Sequence, residues 1–298
     1  MLHTIENDYL KVTVSDHGAE LTSVYDKAQD FERIWCADPA VWNRHAPVLF
    51  PFVGKVKDGA YRYNGNTYTM KTQHGFARDA EFTCIAETTD SITHKLVYSD
   101  ETLEIYPFEF ELLITHRFDA ENPRLMHVTW TVKNLGSDEM LYSIGGHPGF
   151  QIPIEKNLKF EDYRIDFGED PKPRRILFSE DCFVLEEDEA FALEEGRYLN
   201  LEHNLFDDDA IVLKEMPREV TLESAKGSKK ITVAFPDMDY LGIWHWPHVE
   251  VDYVCIEPWS SLPSRKNVVE DLEKQADLLS LESGQEYTNT WSITIKEK

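Results

Sequence analysis

Apolar and polar residues alternate with a period of two along most of this chain. Leu10, Val12 and Val14 are separated by polar residues, and Phe108, Phe110, Leu112 and Ile114 alternate with a set that includes Glu109 and Glu111. In a pleated strand this pattern turns one set toward a core and the other away from it. Tyr61 to Tyr68 places Asn64-Gly65 between two aromatic runs; both residues of such a pair accept positive φ, so the spacing predicts a β-hairpin. A second turn is predicted over Asn134 to Asp138. Further strands are predicted over Leu125–Val132, Leu158–Phe167, Ala210–Lys214, Val220–Glu223, Ile231–Phe235, Tyr253–Ile256 and Trp291–Ile295. Helical spacing is confined to Val268–Leu279, where Val269, Leu272, Ala276 and Leu279 share a face, enough for one short helix. No fixed-period repeat, low-complexity linker or shift in composition divides the chain, so residues 1–298 read as a single all-β domain built as a two-layer sandwich.

Composition adds limits on partners. With 42% hydrophobic residues, seven Trp, thirteen Tyr and sixteen Phe, the chain has the material for a substantial core. Its formal charge of −25 repels nucleic-acid phosphates and anionic membrane surfaces, and no apolar run approaches the ~20 residues of a bilayer span. Neither nucleic acid nor membrane is expected as a partner. The acidic run Glu186-Glu187-Asp188-Glu189 reads as solvated surface. The first residues, Met1 to Val14, already alternate as a strand and show no basic segment followed by an apolar one. Cys36, Cys84, Cys182 and Cys255 are scattered beside apolar residues with no C-x-x-C spacing, which predicts buried free thiols in a reducing cytoplasm.

Chemistry is expected where polar groups keep unusual company. Ser143 to Phe150 sets His147 in a glycine-rich bend containing Pro148, between two strand-like segments, where backbone can approach a ligand closely. Glu257 ends the apolar run Tyr253–Ile256 and precedes Pro258-Trp259; partial burial there favours the protonated carboxyl and moves it toward the working range of a general base. On local context alone His147 reads more readily as a structural histidine, and Glu257 reads equally as a strand-end carboxylate paired with a surface base. Gln73 to Arg78 holds His74 beside a glycine, with Arg78 four positions on, a combination suited to hydroxyls or an anion. His245-x-x-His248 has the look of a metal pair, but Pro247 breaks any helix that would align the two rings, and no third ligand has suitable spacing, so no metal is expected. Serine-hydrolase, P-loop and dinucleotide fingerprints do not occur.

Taken in order, Gly54-Lys55-Val56-Lys57-Asp58-Gly59, His74-Gly75-Phe76-Ala77-Arg78, Gly146-His147-Pro148-Gly149-Phe150, Tyr240-Leu241-Gly242-Ile243-Trp244 and Cys255-Ile256-Glu257-Pro258-Trp259 resemble the aldose 1-epimerase (galactose mutarotase) superfamily, in its LacX-like branch. The resemblance runs over essentially the whole chain. It implies a large antiparallel β-sandwich of the galactose mutarotase type, a supersandwich, whose concave face holds a small-molecule sugar. It further implies a mutarotase: His147 protonates the ring oxygen and Glu257 removes the proton of the anomeric hydroxyl, with no cofactor. By the same resemblance His74 binds substrate, as does an aspartate matched by Asp209, with Asp208 the alternative. Lys55 stands where the family carries an arginine, a departure that replaces a planar fork of donors with a point charge.

The same residues leave other readings open. Trp244 and Trp259 offer apolar faces to a sugar or belong to the core. The His-Gly-Phe-Ala-Arg segment also resembles the hexose-6-phosphate epimerases, which makes Lys55 and Arg78, with Arg44, candidates for a phosphate. The overall charge favours a neutral aldose such as galactose or glucose. A non-catalytic sugar-binding module needs no paired acid and base. Glycoside hydrolysis generally uses two carboxylates, where this chain offers a histidine and one carboxylate.

Overall fold

The computed structural model describes residues 1–297; Lys298, the last residue of the span read as one domain, lies outside the described residues. The architecture is nearly all β, and every pairing between its strands is antiparallel. One sheet has nine strands, with Leu125–Asn134, Phe110–Phe118 and Glu286–Glu297 near its middle; a second has eight, with Tyr253–Trp259 at its centre. A four-stranded sheet from the first 32 residues, one short hairpin and a two-stranded pairing of Met140–Tyr142 with Leu279–Leu281 complete it. No helix among the described residues is long and apolar enough to cross a membrane.

The period-two pattern explains the layering. Leu112, Ile114, Val128, Trp130 and Ile293 from the nine-stranded sheet share one apolar cluster with Leu213, Ile243, Val254 and Ile256 from the eight-stranded sheet. These residues form the sandwich interior. The alternate residues of the central strand, Tyr253, Cys255 and Trp259, belong to separate small clusters with Trp42 and Val212. Tyr253–Trp259 is therefore buried on both faces along its whole length, which is why it reads as a continuous apolar run rather than an alternating one. Glu257, in phase with Tyr253, Cys255 and Trp259, points away from the core.

The predicted hairpin is present: Ala60–Tyr63 pairs with Asn66–Thr69 through a two-residue turn in which Asn64 and Gly65 both have positive φ. Most predicted strands fall within a few residues of their expected places. Three expectations are corrected. Over Leu158–Phe167 only Tyr163–Asp166 is strand, preceded by a 3-10 turn at Phe160–Asp162. Over Val268–Leu279 the helix is reduced to a 3-10 turn at Leu272–Lys274, because tertiary partners take the hydrogen bonds a helix needs: Glu270 O accepts from Arg62 N, and Leu279–Leu281 pairs with Met140–Tyr142. Among the cysteines, all free, only Cys255 is fully buried, and Cys36 is exposed. The acidic run from Glu186 lies on Val184–Ala190, the edge strand of the eight-stranded sheet, where charge discourages edge-to-edge pairing with another chain.

The interior of the nine-stranded sheet carries His116, 1% exposed, whose Nδ1 has no hydrogen-bond partner. Burial, followed by neighbouring His94, lowers its pKa from 6.5 to about 3. As pH falls below 6.5 the unfolded chain takes up this proton while the folded chain does not, so stability is present above 6.5 and lost progressively toward 3. At roughly 1.4 kcal/mol per pH unit, this one group removes about 2 kcal/mol between pH 6.5 and 5. His116→Leu should flatten the pH dependence of urea-unfolding stability between pH 8 and pH 5 by about that amount. An unchanged difference between the two pH values would show that His116 does not titrate this way.

Candidate active site

The eight-stranded sheet builds the site by register. Gly145 pairs with Trp259 and Gly149 with Cys255, so the bend Gly146-His147-Pro148 bridges the gap in the ladder and carries His147 to the level of Glu257. On the other side, Gly242 pairs with Glu257 and Trp244 with Cys255. His147 and Glu257, 110 residues apart in sequence, thus face each other across neighbouring strands by the geometry of the sheet. Their Nε2 and Oε2 atoms are 3.1 Å apart.

His74 reaches the same place from the segment after the hairpin. It adopts a left-handed conformation, φ 64°, held by bonds to the Gly54 segment: His74 N donates to Gly54 O at 2.7 Å and Gly54 N donates to His74 Nδ1 at 3.0 Å. With Nδ1 accepting, the neutral ring carries its hydrogen on Nε2; the Gln73 side-chain amide, 3.2 Å away, pairs with it with its oxygen turned toward the ring. The His74 and His147 rings meet edge to face, 5.4 Å between centroids.

These three residues open into a cavity of about 490 Å³ whose lining also includes Lys55, Arg78, Asp209 and Trp244. Every site residue expected from the sequence therefore converges on one place. Asp208, the alternative aspartate, lines the cavity too, while Asp209 is held more firmly, accepting from Ala210 N at 2.9 Å and from Cys182 Sγ at 2.7 Å. Trp259 also lines the cavity, 6.2 Å from His74 by ring centroids. Trp42, Gln73, Cys182 and Trp246 line it without having been singled out in the sequence. Trp42 lies tilted against His147, 5.1 Å between ring centroids, and meets Trp244 edge-on at 5.5 Å. Its only signal in the sequence was its place beside Asn43-Arg44.

The electrostatics favour neutral groups at the centre. Burial lowers His147 from 6.5 to about 3, assisted by the charges of Arg78 and Arg44. Burial raises Glu257 well above 4.5, assisted by Asp209 and opposed by the Trp259 indole. Burial, then His147, keeps His74 well below its ordinary value. Although His147 and Glu257 touch, both oxygens of Glu257 and Nδ1 of His147 lack hydrogen-bond partners. Buried polar atoms are nearly always paired, and several unpaired ones beside a cavity mark a surface built for a polar ligand.

The basic residues at the rim differ in how far their charge is used. Arg44 donates to Arg78 O and pairs with Asp79. Lys55 Nζ donates to Asp181 O at 3.4 Å. Arg78 has a buried, unpartnered Nε, and its nearest carboxylate oxygen, on Asp79, is 3.9 Å away.

His147, Cys255 and Glu257 place one ligand atom each within 4.8 Å of one another, but burial pushes the Cys255 thiol well up, and a thiol held protonated is a poor metal ligand. His245 and His248 do not converge: His245 is buried against His203, and exposed His248 pairs with Asp207.

Comparison with known proteins agrees with this geometry. The aldose 1-epimerase family model matches residues 1–293. The chain belongs to the aldose 1-epimerase family. The plasmid and chromosomal LacX proteins of Lactococcus lactis subsp. lactis are each 32% identical to it over 303 aligned positions, covering 98% of both chains. The solved structure of a galactose mutarotase related enzyme from Lactobacillus acidophilus superposes with a TM-score of 0.92 at 34% identity, covering 100% of this chain and 98% of the other. A galactose mutarotase-like protein from Lactobacillus casei gives 0.91 at 30% identity, covering 99% and 100%. The epimerase-family fold is thus the supersandwich expected from the sequence, with the cavity on the outer face of the eight-stranded sheet.

Proposed function

We propose that this family member interconverts the α and β anomers of a free hexose by acid–base ring opening, with His147 as the acid and Glu257 as the base. The observation that carries the reading is the buried His147–Glu257 contact at 3.1 Å, set in a cavity with unpaired carboxylate oxygens. Glu257 takes the proton of the anomeric hydroxyl, the C1–O5 bond breaks as the C1 carbonyl forms, and O5 takes a proton from His147. Rotation about C1–C2 followed by the reverse steps closes the ring as the other anomer. One proton resides on the pair throughout. Ring opening turns an imidazolium and a carboxylate into a neutral imidazole and a carboxylic acid, and burial favours that neutral state on both residues. A positioned acid and base each supply roughly 10² to 10⁴ in rate. No cofactor enters any step.

On this reading His74 and Asp209 hold hydroxyls. His74, kept neutral with Nε2–H as a donor, is suited to orienting a substrate oxygen and not to delivering the decisive proton. His74→Ala should raise KM about tenfold with kcat changed far less. Loss of kcat with unchanged substrate binding would instead assign a proton-transfer role to His74.

A neutral aldose such as galactose or glucose is the proposed substrate, and Lys55 donates to one of its hydroxyls. One observation favours a sugar phosphate as a second reading: Arg78 is a cavity cation with no tight counter-charge. Polarimetric or NMR exchange assays on freshly dissolved glucose, galactose and glucose 6-phosphate, each at low and high salt, decide between them. A large, salt-sensitive preference for glucose 6-phosphate that Arg78→Met erases would overturn the neutral-sugar reading.

A further inference from the structure

The cavity extends beyond the space around His147 along a series of indoles. Trp42 and Trp244 lie 5.1 and 5.6 Å from the His147 ring, and Trp246, 6.0 Å from Trp244, continues outward. Trp246 lines the cavity yet is 45% exposed. An exposed indole is unremarkable on a loose loop, but the backbone that carries this one is firmly held. Its backbone N–H donates to the hydroxyl of Tyr253 at 3.0 Å, and its carbonyl accepts from His245 Nδ1 at 2.8 Å. His245 Nε2 in turn accepts from His203 Nδ1 at 3.2 Å. His203 stacks on Phe160 at 4.1 Å, and Phe206 packs against His245 at 4.4 Å. Two residues on, His248 N donates to Asp207 at 3.2 Å. Burial lowers His245 to about 4, so it stays the neutral tautomer this chain of bonds requires. A buried histidine, a half-buried one and a buried tyrosine are thus committed to fixing the backbone of one residue whose ring lines the cavity.

An aromatic face half in water on a firmly held backbone at the mouth of a polar cavity suits the apolar CH face of a pyranose, whose hydroxyls stay solvated at the ring edge. We propose that Trp246 forms a second sugar subsite, so that the site prefers a reducing disaccharide to the free hexose: its reducing ring lies against His147 and Glu257 and its second ring stacks on Trp246. This rests on the epimerase reading of the inner site. The chemistry is the same ring opening at the free anomeric carbon, and the glycosidic bond is left intact.

The test is to compare kcat/KM for maltose and lactose with glucose and galactose by NMR exchange, on the wild-type chain, Trp246→Ala and Trp246→Phe. The wild type should favour at least one disaccharide by about tenfold, the ratio should collapse to about one in Trp246→Ala, and Trp246→Phe should restore part of it. A wild-type ratio near one, or a preference that survives Trp246→Ala, would overturn the second subsite and leave the epimerase reading standing. If no sugar exchanges, the epimerase reading fails, and titration of intrinsic tryptophan fluorescence with maltose, lactose and glucose judges the subsite alone. There, disaccharides binding no more tightly than glucose would overturn it, whereas tighter binding lost in Trp246→Ala would support it.

Discussion

His147→Asn and Glu257→Gln should each slow anomer interconversion by at least about a hundredfold while leaving the fold intact, because each removes one of two proton-transfer partners. Both substitutions preserve approximate size. Glu257→Gln also replaces a carboxyl that burial already holds toward its neutral form, so it adds no buried charge and leaves stability at neutral pH nearly unchanged. Sugar affinity should largely survive in both variants. The double variant should be little slower than either single one, since a residue that donates to O5 is of little use when nothing takes the proton from O1. Exchange measured by polarimetry or NMR on folded variants checks the assignment. A single variant with near wild-type exchange would remove that residue from the mechanism.

The same pair sets a pH signature. The competent state holds one proton between the two residues. Adding a second requires protonating His147 beside a neutral Glu257, which burial and the nearby arginines defer from 6.5 toward about 3. Removing the first requires a bare carboxylate in a buried site, which burial and Asp209 defer to well above the ordinary 4.5. The profile of kcat/KM should therefore be a plateau, and its acid limb should fall far below an ordinary histidine value. A single rise centred near 6.5 would contradict this, because it would mean that His147 titrates as though exposed to water.

Much of the fold was legible because antiparallel strands leave a period-two record. Leu10 to Val14 is an alternating strand, and Phe108 to Ile114 leads into one that begins at Phe110; the buried residues of both are the predicted ones. The Asn64-Gly65 turn was readable because positive φ at two successive positions suits few other residues. The helix expected after Val268 failed for a reason no local window contains: the competing hydrogen-bond partners, Arg62 and the Met140 strand, lie more than a hundred residues away. The site divides in the same way. His147, Glu257 and His74 stood out because a polar group beside glycines or at the end of an apolar run is locally anomalous. Trp42 and Trp246 did not, since a tryptophan beside polar neighbours reads as core or surface alike until the fold shows which face it occupies. The metal-like His245-x-x-His248 spacing is the inverse case. The His245 ring holds the backbone of Trp246 and the His248 backbone bonds Asp207, so the spacing serves to hold this loop and brings no two rings together.

Gly75→Ala should destabilise the protein by roughly 2 to 5 kcal/mol and impair exchange together, although Gly75 carries no chemistry. Two costs combine. Gly75 has φ +72°, a left-handed conformation that costs an L residue about 1 to 2 kcal/mol. A Cβ there would also lie 2.2 Å from Phe50 O, 2.5 Å from Phe50 C and 2.7 Å from Pro51 N, all backbone atoms with no rotamer by which to yield. Relief requires the 74–77 segment to move away from Phe50, against the bonds Phe50 N to His74 O at 3.3 Å and Ala77 N to Phe50 O at 3.2 Å. His74 moves with it, and its bonds to Gly54 weaken. Gly65→Ala separates the two costs. Gly65 has nearly the same φ, +73°, with nothing within 4 Å of its added Cβ, so this variant should lose only about 1 to 2 kcal/mol and keep full exchange. Urea unfolding of the two variants, with exchange rates on the same preparations, makes the comparison. If Gly75→Ala costs no more than Gly65→Ala, the close approach of Phe50 does not hold His74 in place, and the His-Gly pair reflects backbone conformation alone.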